Sequence, residues 1–397
     1  MKKKIISLAL VIMMTLSSLT SCMMIDFEGM LTPDEEKTPQ INNINVEGGP
    51  NYDSINITST ADKNLLAASK AVLSSVSIFT STAAGSGVIY ELDKKKGDAI
   101  IITNFHVVYD SKKNAIDSEI LLLLYGMEHM DYAIPAEYLG GSMNYDIAIL
   151  KVTASPVLAT GNARAVEIAD SDKVSILETA IAVGNPEGMG ISATVGNINV
   201  DSEEIEIAFT VNGETAPVTL RVMRTDAAVN SGNSGGGLFN DKGELIGIVN
   251  AKSGDYSNDN IGYAIPSNVA VAVAENVKYY SANASSYRVH KCMLGITVIV
   301  KEMSSKYDQE TGKLEKLEKV EVYEFTAGSG ARGYLKTGDV INSITIDGVT
   351  RNVTRMHHVV DAMLYARVGS TVTLNVTRGK LTLNVTIPIT SAMVEVY

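Results

Sequence analysis

Two consecutive sets of short apolar runs, each run bounded by turn-forming residues, constrain the fold of this chain most. The first set reads "SVSIFTS", "GSGVIYEL", "AIIITN", "EILLLLYG", "YAIPAEYLG" and "DIAILKV". The second reads "TAIAVGN", "ISATVGNINV", "EIEIAFTV", "TLRVMRTDAAV", "GGLFN", "ELIGIVNA" and "GYAIPSN". Short runs rich in β-branched residues and separated by Gly, Asn and Asp are typical of antiparallel barrels or sandwiches. The sequence therefore predicts two β bodies of similar size that follow one another.

A different pattern begins after Ser267 and predicts a third unit. Valines at 269, 273 and 277 recur at a spacing of four, which indicates a helix. The stretch "SANASSYRVHK" that follows it is typical of a linker. From Met293 to Tyr397 a strand, "LGITVIV", precedes a helix near Met356 to Ala366 and the hairpin "TVTLNVTRGKLTLNVTI". These elements predict a small α+β domain.

The N-terminus is typical of a secreted protein. Three lysines precede an apolar run from Ile5 to Leu16 that is too short to span a bilayer, so residues 1–21 are predicted to be a signal peptide. The run ends in "LTSC", which resembles the lipobox of bacterial lipoproteins and predicts lipidation of Cys22. A buried structural cysteine is the alternative. Residues 22–60 are polar, contain several prolines and show no periodicity, so we expect a disordered tether there.

Charge and cysteine content limit the partners. The chain has 33 basic and 45 acidic residues, and three of the basic ones lie in the predicted signal peptide. Such a chain is repelled by nucleic acid and by anionic lipid headgroups, so membrane contact has to come from acyl chains. Because lipidation would consume Cys22, Cys292 would have no partner for an intramolecular disulfide.

The segment "NSGNSGG", residues 230–236, places Ser234 among glycines and amides just before a predicted strand. Either it is a turn, or its glycines aim backbone N–H groups at a site near the hydroxyl. A serine nucleophile needs a base and an acid that orients the base. His106 follows an apolar strand and Asp146 precedes one, whereas Asp131 is a competing acid without such a strand. The other histidines are His129, His290, His357 and His358.

Taken together, these segments resemble a known family. "GSGVIY", "TNFHVV", "YDIAILKV", "AVGNPEG", "TDAAVNSGNSGG", "GELIGIVNA" and "GYAIPSN" occur in the order found in HtrA/DegP-type serine proteases. The resemblance covers about residues 70–280. It implies a trypsin-like fold of two six-stranded antiparallel β-barrels with a catalytic cleft between them. We place the protease domain at residues 61–283.

The resemblance also implies roles for individual residues. His106 would be the general base, Asp146 its orienting acid and Ser234 the nucleophile. The oxyanion hole would be formed by the loop of Gly232, Asn233 and Ser234. Digestive trypsin-like enzymes carry an aspartate where this chain has Asn233, so activation by propeptide cleavage is not expected, and the resemblance implies loop rearrangement instead.

The specificity pocket and the third unit carry two further expectations. Ala228 stands where enzymes that cut after Lys or Arg carry an aspartate, and Val229 adjoins it, which favours cleavage after small aliphatic residues. Residues 290–397 resemble a PDZ domain, because "MLGI" and "AGSGARGYLKTGDVINSITIDG" match its motifs. The carboxylate-binding loop would then be Met293, Leu294, Gly295 and Ile296. A domain that serves only for packing is the alternative.

Two functions are compatible with this sequence. The first is a lipid-anchored serine endopeptidase that degrades unfolded or damaged polypeptides at the outer face of a bacterial membrane, while its PDZ domain recognises peptide C-termini. The second is a binding module with an inert protease body, and the intact set of catalytic residues favours the first. No metal cluster or phosphate loop is found, so we expect no cofactor and no metal. The resemblance implies trimers or larger cages, and the sequence leaves the oligomeric state, including a homotrimer, open.

Overall fold

The computed structural model describes residues 60–211, 213–250, 261–284 and 286–397. The predicted signal peptide, Cys22 and almost all of the predicted tether lie outside these residues. The first described element is helix α1, Thr60–Leu73, whose Ala67 and Ala71 are buried in the core. Within the described ranges, no helix is long and apolar enough to cross a membrane.

The first β body is a seven-stranded antiparallel sheet in the order β7-β6-β1-β2-β3-β9-β8. Its strands are β1 Ser75–Thr80, β2 Ala84–Asp93, β3 Asp98–Thr103, β6 Ile120–Leu124, β7 Ile134–Pro135, β8 Glu137–Ser142 and β9 Ile147–Val152. Helix α2, Phe105–Val108, follows β3, and a small ladder of β4, Tyr109–Asp110, with β5, Ala115–Ile116, follows α2.

The sequence predicted a closed six-stranded barrel here, and the hydrogen-bonded order does not close. The two edge strands, β7 and β8, are separated along the chain by Ala136 alone, so the sheet has to curl until its edges meet. Pro135 has no N–H group to donate to a ladder, which interrupts what would otherwise be a single edge strand. The expected barrel is therefore a curled sheet with one strand divided in two.

The second β body is a closed six-stranded barrel in the order β10-β11-β12-β15-β14-β13, as predicted. Its strands are β10 Thr179–Gly184, β11 Ser192–Val211, β12 Glu214–Thr225, β13 Gly237–Phe239, β14 Leu245–Asn250 and β15 Gly262–Pro266. The two segments expected as separate strands between residues 191 and 211 form one long strand, β11, with register shifts against β12. The β11–β12 hairpin extends well beyond the barrel wall because of this length.

Helix α3, Pro156–Thr160, connects the two β bodies, and helix α4, Ser267–Ala284, follows the second one. Helix α4 buries Val269, Val273 and Val277 in the large core cluster shared with both bodies. The third body contains β17 Ile296–Tyr307, β18 Leu314–Phe325, β19 Val340–Ile346, β20 Val349–Asn352, helix α5 Met356–Ala362, β21 Thr371–Arg378 and β22 Leu381–Pro388. It has its own apolar core and the predicted α+β composition.

The stretch after helix α4 that was expected to be a linker is hydrogen-bonded to β8 and to the C-terminal strand. Gly141 of β8 donates its N–H to the carbonyl of Tyr287 at 3.0 Å. Strand β16, His290–Cys292, pairs antiparallel with the last strand, β23, Val394–Val396. The chain between helix α4 and the third body is therefore a structural connection that joins β8 to the C-terminal strand.

Candidate active site

The ends of two neighbouring strands bring His106 and Asp146 together. His106 lies in helix α2 directly after β3, and Asp146 directly precedes β9, the strand that pairs with β3. The Nδ1 atom of His106 lies 2.7 Å from Oδ2 of Asp146, and the backbone N–H of His106 donates to Oδ1 at 3.0 Å. With Nδ1 donating to the carboxylate, the neutral ring has its free lone pair on Nε2.

The carboxylate of Asp146 is fully buried and held by more than the histidine. Asn250, the last residue of β14, donates from Nδ2 to its Oδ2 at 2.8 Å, and Asn104 donates to the backbone carbonyl of Asp146 at 2.8 Å. Asp146 itself adopts a left-handed backbone conformation with φ 47°, which directs its carboxylate at the histidine. The sequence did not identify Asn104 or Asn250 as functional residues.

Ser234 lies across the cleft from these groups. It is mostly buried, and it lines a cavity of about 390 Å³ together with His106. The other lining residues are Tyr109, Ser111, Phe209, Thr210 and Ser231. The structure thus brings the predicted base and the predicted nucleophile into one cavity, with the predicted acid directly behind the base.

The loop before Ser234 needs glycine. Gly232 has φ 94°, and a Cβ atom there would lie 2.2 Å from the carbonyl oxygen of Asn185. Gly235 has φ 82°, and a Cβ atom there would lie 2.2 Å from the carbonyl oxygen of Ser86. The glycines flanking the nucleophile therefore allow both a left-handed backbone and a close approach of neighbouring strands.

Hydrogen bonds to the carbonyl groups of Ser231 and Asn233 orient two peptide planes of this loop. Glu187 donates its N–H to the carbonyl of Ser231 at 2.8 Å, and Gly236 donates to that of Asn233 at 2.9 Å. In a planar trans peptide the N–H group points opposite to the carbonyl. The N–H groups of Gly232 and Ser234, which belong to these two planes, therefore point away from Glu187 and Gly236. Two backbone donors beside a serine in a cavity can stabilise a negatively charged oxygen.

Asp131, the acid that competed with Asp146 in the sequence, belongs to a different pair. Its carboxylate lies 3.2 Å from Nδ1 of His129, and both side chains are about 70% exposed. Neither residue lines the cavity that contains Ser234. Because water solvates both groups, this pair lacks the burial and additional hydrogen bonds that fix Asp146.

Known proteins that match this chain are serine proteases. Residues 85–248 match the family model of the trypsin-like peptidase domain, a range that contains His106, Asp146 and Ser234. The chain is 33% identical over 315 residues to "Serine protease Do-like HtrA" of Lactococcus lactis subsp. cremoris, covering 75% of this chain and 71% of that protein. The chain belongs to the HtrA family of serine proteases. It is a serine endopeptidase.

Other HtrA relatives match over a smaller share of their length. The Bacillus subtilis "Serine protease Do-like HtrA" is 32% identical, over 66% of this chain and 54% of that protein. "Periplasmic pH-dependent serine endoprotease DegQ" of Escherichia coli is 33% identical, over 66% of this chain and 50% of that protein. The chain thus spans about half the length of these two relatives. The solved structure "HtrA-type protease AlgW with tripeptide" has the same fold, with TM-score 0.50, 24% identity, and coverage of 85% of this chain and 98% of that one.

The two residues predicted to form the specificity pocket of this HtrA protein are not among those that line the cavity beside Ser234. Ala228 is exposed and its carbonyl accepts a hydrogen bond from Thr194 at 2.8 Å, while Val229 packs beside Gly262. On the side of the β11–β12 hairpin, Phe209 and Thr210 line the cavity instead. The chain after Asn250, residues 251–260, lies outside the described residues.

The predicted carboxylate-binding loop connects β16 to β17. The N–H of Met293 donates to the carbonyl of Met393 at 2.6 Å, so this N–H group already has a partner within the chain. Gly295 has φ 69°, and a Cβ atom there would lie 2.8 Å from Cα of Ser329. Between β17 and helix α5, next to the second barrel, lies a groove of about 440 Å³ whose lining includes Val298 and Val360.

One cluster has the residue types of a metal site. The ligand atoms of Asp172, His357 and His358 lie within 4.8 Å of one another. However, Thr354 donates its N–H to Nδ1 of His358 at 3.3 Å, which leaves the ring proton on Nε2, the atom that would bind a metal. Arg221 also places a guanidinium nitrogen 3.6 Å from the carboxylate of Asp172. The cluster fits a network of ion pairs and hydrogen bonds better than a cation site.

Proposed function

We propose that this HtrA protein degrades unfolded or damaged polypeptides at the outer face of a bacterial membrane, using Ser234 as nucleophile, His106 as general base and Asp146 as orienting acid. The contact of 2.7 Å between His106 and Asp146, beside the cavity that Ser234 lines, carries this proposal. The Escherichia coli relative named as periplasmic supports an extracytoplasmic location.

In the proposed mechanism, Nε2 of His106 accepts the proton of the Ser234 hydroxyl as Oγ attacks the scissile carbonyl. The buried carboxylate of Asp146 stabilises the imidazolium that forms and keeps the ring in the correct tautomer. His106 then donates this proton to the leaving amine, and a water molecule hydrolyses the acyl-enzyme by the same steps. The first β body supplies the base and its acid, and the second supplies the nucleophile.

The developing oxyanion is bound by backbone N–H groups of Gly232 and Ser234, in a loop whose shape Asn233 completes. Each such donor contributes about 3 to 4 kcal/mol to transition-state stabilisation in enzymes of this type. The bonds from Glu187 to Ser231 and from Gly236 to Asn233 support this role, because they orient the two peptide planes concerned.

Cleavage follows small aliphatic residues such as Val, Ala and Ile. Ala228 and Val229 would form the wall of the pocket without a negative charge, so a lysine or arginine side chain would be buried there unpaired. Differences among aliphatic residues should be small, because one methylene is worth only about 1 to 3 kcal/mol. Mass spectrometry of the products from reduced casein tests this preference, and cleavage mainly after Lys or Arg would contradict it.

The third body acts as a PDZ domain that binds peptide C-termini through the N–H groups of Leu294, Gly295 and Ile296. The left-handed conformation of Gly295 and the groove beside Val298 support this assignment. Calorimetry with a peptide that ends in an apolar residue, in free and in amidated form, tests it. Amidation should weaken binding sharply, and equal affinities would contradict a carboxylate-binding loop.

Lipidation of Cys22 anchors the protein to the membrane. The lipobox-like "LTSC" and the acidic chain, which anionic lipids repel, support this proposal. Cells that express Cys22→Ser should not incorporate labelled palmitate into the protein. Equal incorporation into both forms would place the acyl chain elsewhere.

The decisive experiment compares hydrolysis of reduced casein by the purified protein and by its Ser234→Ala variant. We expect Ser234→Ala to have no measurable activity and an unchanged circular dichroism spectrum, since the hydroxyl serves chemistry. A residual rate of a tenth or more of the parent rate would refute the assignment of the nucleophile. A parent protein that binds casein without cutting it would favour the binding module.

A further inference from the structure

Ser86 is a fully buried serine in β2 that faces the loop of the nucleophile. Its hydroxyl donates to the carbonyl of Gly232 at 2.7 Å and accepts the N–H of Asn185 at 2.8 Å. Its backbone N–H donates to the carbonyl of Ser234 at 2.8 Å, and its own carbonyl accepts the hydroxyl of Thr103 at 2.7 Å. All four hydrogen-bonding groups of Ser86 are thus used at the catalytic loop or its supports.

These bonds add to the others that orient the peptide planes of this loop. Gly232 has no side chain and φ 94°, a region in which glycine interconverts more easily than other residues. The Ser86 hydroxyl binds the carbonyl side of the peptide plane between Gly232 and Asn233, and the N–H on its other side donates to the carbonyl of Asn230 at 3.0 Å. This plane lies between the two planes that carry the N–H groups of the oxyanion hole. Rotation of this middle plane would move both neighbouring planes, because they share its Cα atoms.

The same hydroxyl also ties the loop to the turn after β10. Asn185 begins this turn, and two residues later Glu187 donates to the carbonyl of Ser231. Ser86 therefore connects three segments that lie far apart in sequence: strand β2 of the first body, the turn at 185–188, and the loop at 231–234.

We propose that Ser86 is a positioning residue for the oxyanion hole. Its hydroxyl holds the carbonyl of Gly232 away from the cleft, so that the N–H groups of Gly232 and Ser234 are oriented before substrate binds. Ser86 touches neither substrate nor the triad side chains, and it acts through the loop. This proposal rests on the function proposed above, and it names a residue outside the triad that adjusts transition-state binding.

Ser86→Ala tests the proposal, with Ser77→Ala as the matched control. Ser77 is the cross-strand partner of Ser86 in β1, is equally buried, and has a hydroxyl without a hydrogen-bond partner among the described residues. Both variants lose one buried oxygen in the same region. The readouts are kcat and KM for a chromogenic peptide ending in Val, the inhibition constant of the corresponding peptide aldehyde, and the pH profile of kcat/KM.

We expect Ser86→Ala to lower kcat about tenfold with little change in KM, a fraction of the effect of losing one oxyanion donor. Affinity for the aldehyde, whose adduct with Ser234 carries the oxyanion, should fall by a similar factor. The pH profile should keep its shape, because His106 and Asp146 are untouched. Ser77→Ala should behave as the parent protein.

Equal kcat values for Ser86→Ala and Ser77→Ala would overturn the proposal, and so would a lower kcat with unchanged aldehyde affinity. If Ser86→Ala does not fold, Ser86→Cys serves instead, because its weak S–H donor should give an intermediate kcat. Failure of the proposed function is recognised separately, since the parent protein would then cut the peptide no faster than Ser234→Ala.

Discussion

The backbone N–H of His106 and the Nδ1 atom of its ring both bind the carboxylate of Asp146, one to each oxygen, at 3.0 and 2.7 Å. A single carboxylate therefore fixes the position of the residue and the orientation of its ring. Oδ2 also accepts a hydrogen bond from Asn250 at 2.8 Å, so the three groups that bind this carboxylate among the described residues are all donors. These donors are all satisfied only by a side chain that accepts hydrogen bonds at both positions, as an ionised carboxylate does.

Asp146→Asn should lower kcat by about 10⁴ with little change in KM, as expected when the general base loses its correct tautomer. When the NH₂ group of the asparagine takes the position of Oδ2, it donates to Nδ1 of His106, so the ring proton moves to Nε2 and faces the nucleophile. Steady-state kinetics on the chromogenic peptide measure the effect.

The control for this change is Asp131→Asn. Asp131 pairs with His129 at a similar distance, but both residues are exposed and solvated. We expect unchanged kcat and KM for this variant. A loss of activity in Asp131→Asn comparable to that in Asp146→Asn would show that the buried pair is not the one that performs the chemistry.

The proposed triad comes from the family resemblance, because the local signal of each member is weak when it is judged alone. His106 ends an apolar strand, Asp146 begins one, and Ser234 lies in a glycine-rich segment. Ser86 and Asn250 have no such signal. Their roles depend on contacts to Gly232 and Asp146, more than a hundred residues away along the chain, and only the packing of strands creates those contacts.

The fold shows the same division between local and long-range information. The individual strands follow from short apolar runs and turn residues, whereas the closed second barrel was implied by the family resemblance. The break between β7 and β8 depends on Pro135 at the seam of a curled sheet, and the ordered state of the predicted linker depends on β23, about a hundred residues later. Neither feature is encoded in a pattern that a short window of sequence contains.

Gly232→Ala should abolish most activity while the protein stays folded. The new Cβ would lie 2.2 Å from the backbone oxygen of Asn185, so the loop must move and take its N–H groups with it. Gly328→Ala is the control, because Gly328 has φ 74° but no atom within 4 Å of a Cβ. Gly328→Ala should bear only the backbone strain, which should lower the free energy of unfolding in urea by about 1 to 2 kcal/mol. It should keep the parent kcat.

The stability of the junction between the second barrel and the third body should fall on mild acidification. Burial lowers the pKa of His357 to about 4 from its ordinary value of 6.5, although a hydrogen bond to Asp172 partly opposes this, and burial also lowers the pKa of His358. Above pH 6.5 a histidine with a lowered folded-state pKa is neutral in both states, so its burial carries no protonation penalty there. The free energy of unfolding falls as the pH falls from 6.5 towards 4, because the unfolded chain binds the proton first.

His357→Gln should therefore reduce the pH dependence of the free energy of unfolding between pH 7 and pH 4.5. A pKa difference of one unit corresponds to about 1.4 kcal/mol, so the change is measurable by urea unfolding at several pH values. The pKa values of two neighbouring acids are shifted differently from that of His357. Hydrogen bonds and nearby positive charges outweigh burial and hold the pKa of Asp172 far below its ordinary value, while burial raises that of Asp361. Identical slopes for the parent and His357→Gln would contradict the assignment.

The last prediction concerns a contact between the C-terminal strand and the turn that carries the catalytic acid. Tyr145 immediately precedes Asp146, and its ring packs edge-to-face against that of Tyr397, with centroids 6.3 Å apart. Tyr397 is held in place by two backbone hydrogen bonds to Val289, at 2.8 and 3.2 Å. The third body thus contacts the protease body within one residue of the triad.

Tyr397→Ala should lower kcat a few-fold at constant KM and destabilise the protein by about 1 to 3 kcal/mol, the cost of losing an aromatic pair and part of its buried area. Tyr397→Phe keeps the ring and loses only the hydroxyl, which binds Glu395, so it should retain the parent kcat. If both variants lose stability but neither loses kcat, the contact serves only to hold the C-terminal strand. A selective loss of kcat in Tyr397→Ala would mean that the position of Asp146 depends on a residue of the third body, and it would give that body a physical route to the active site.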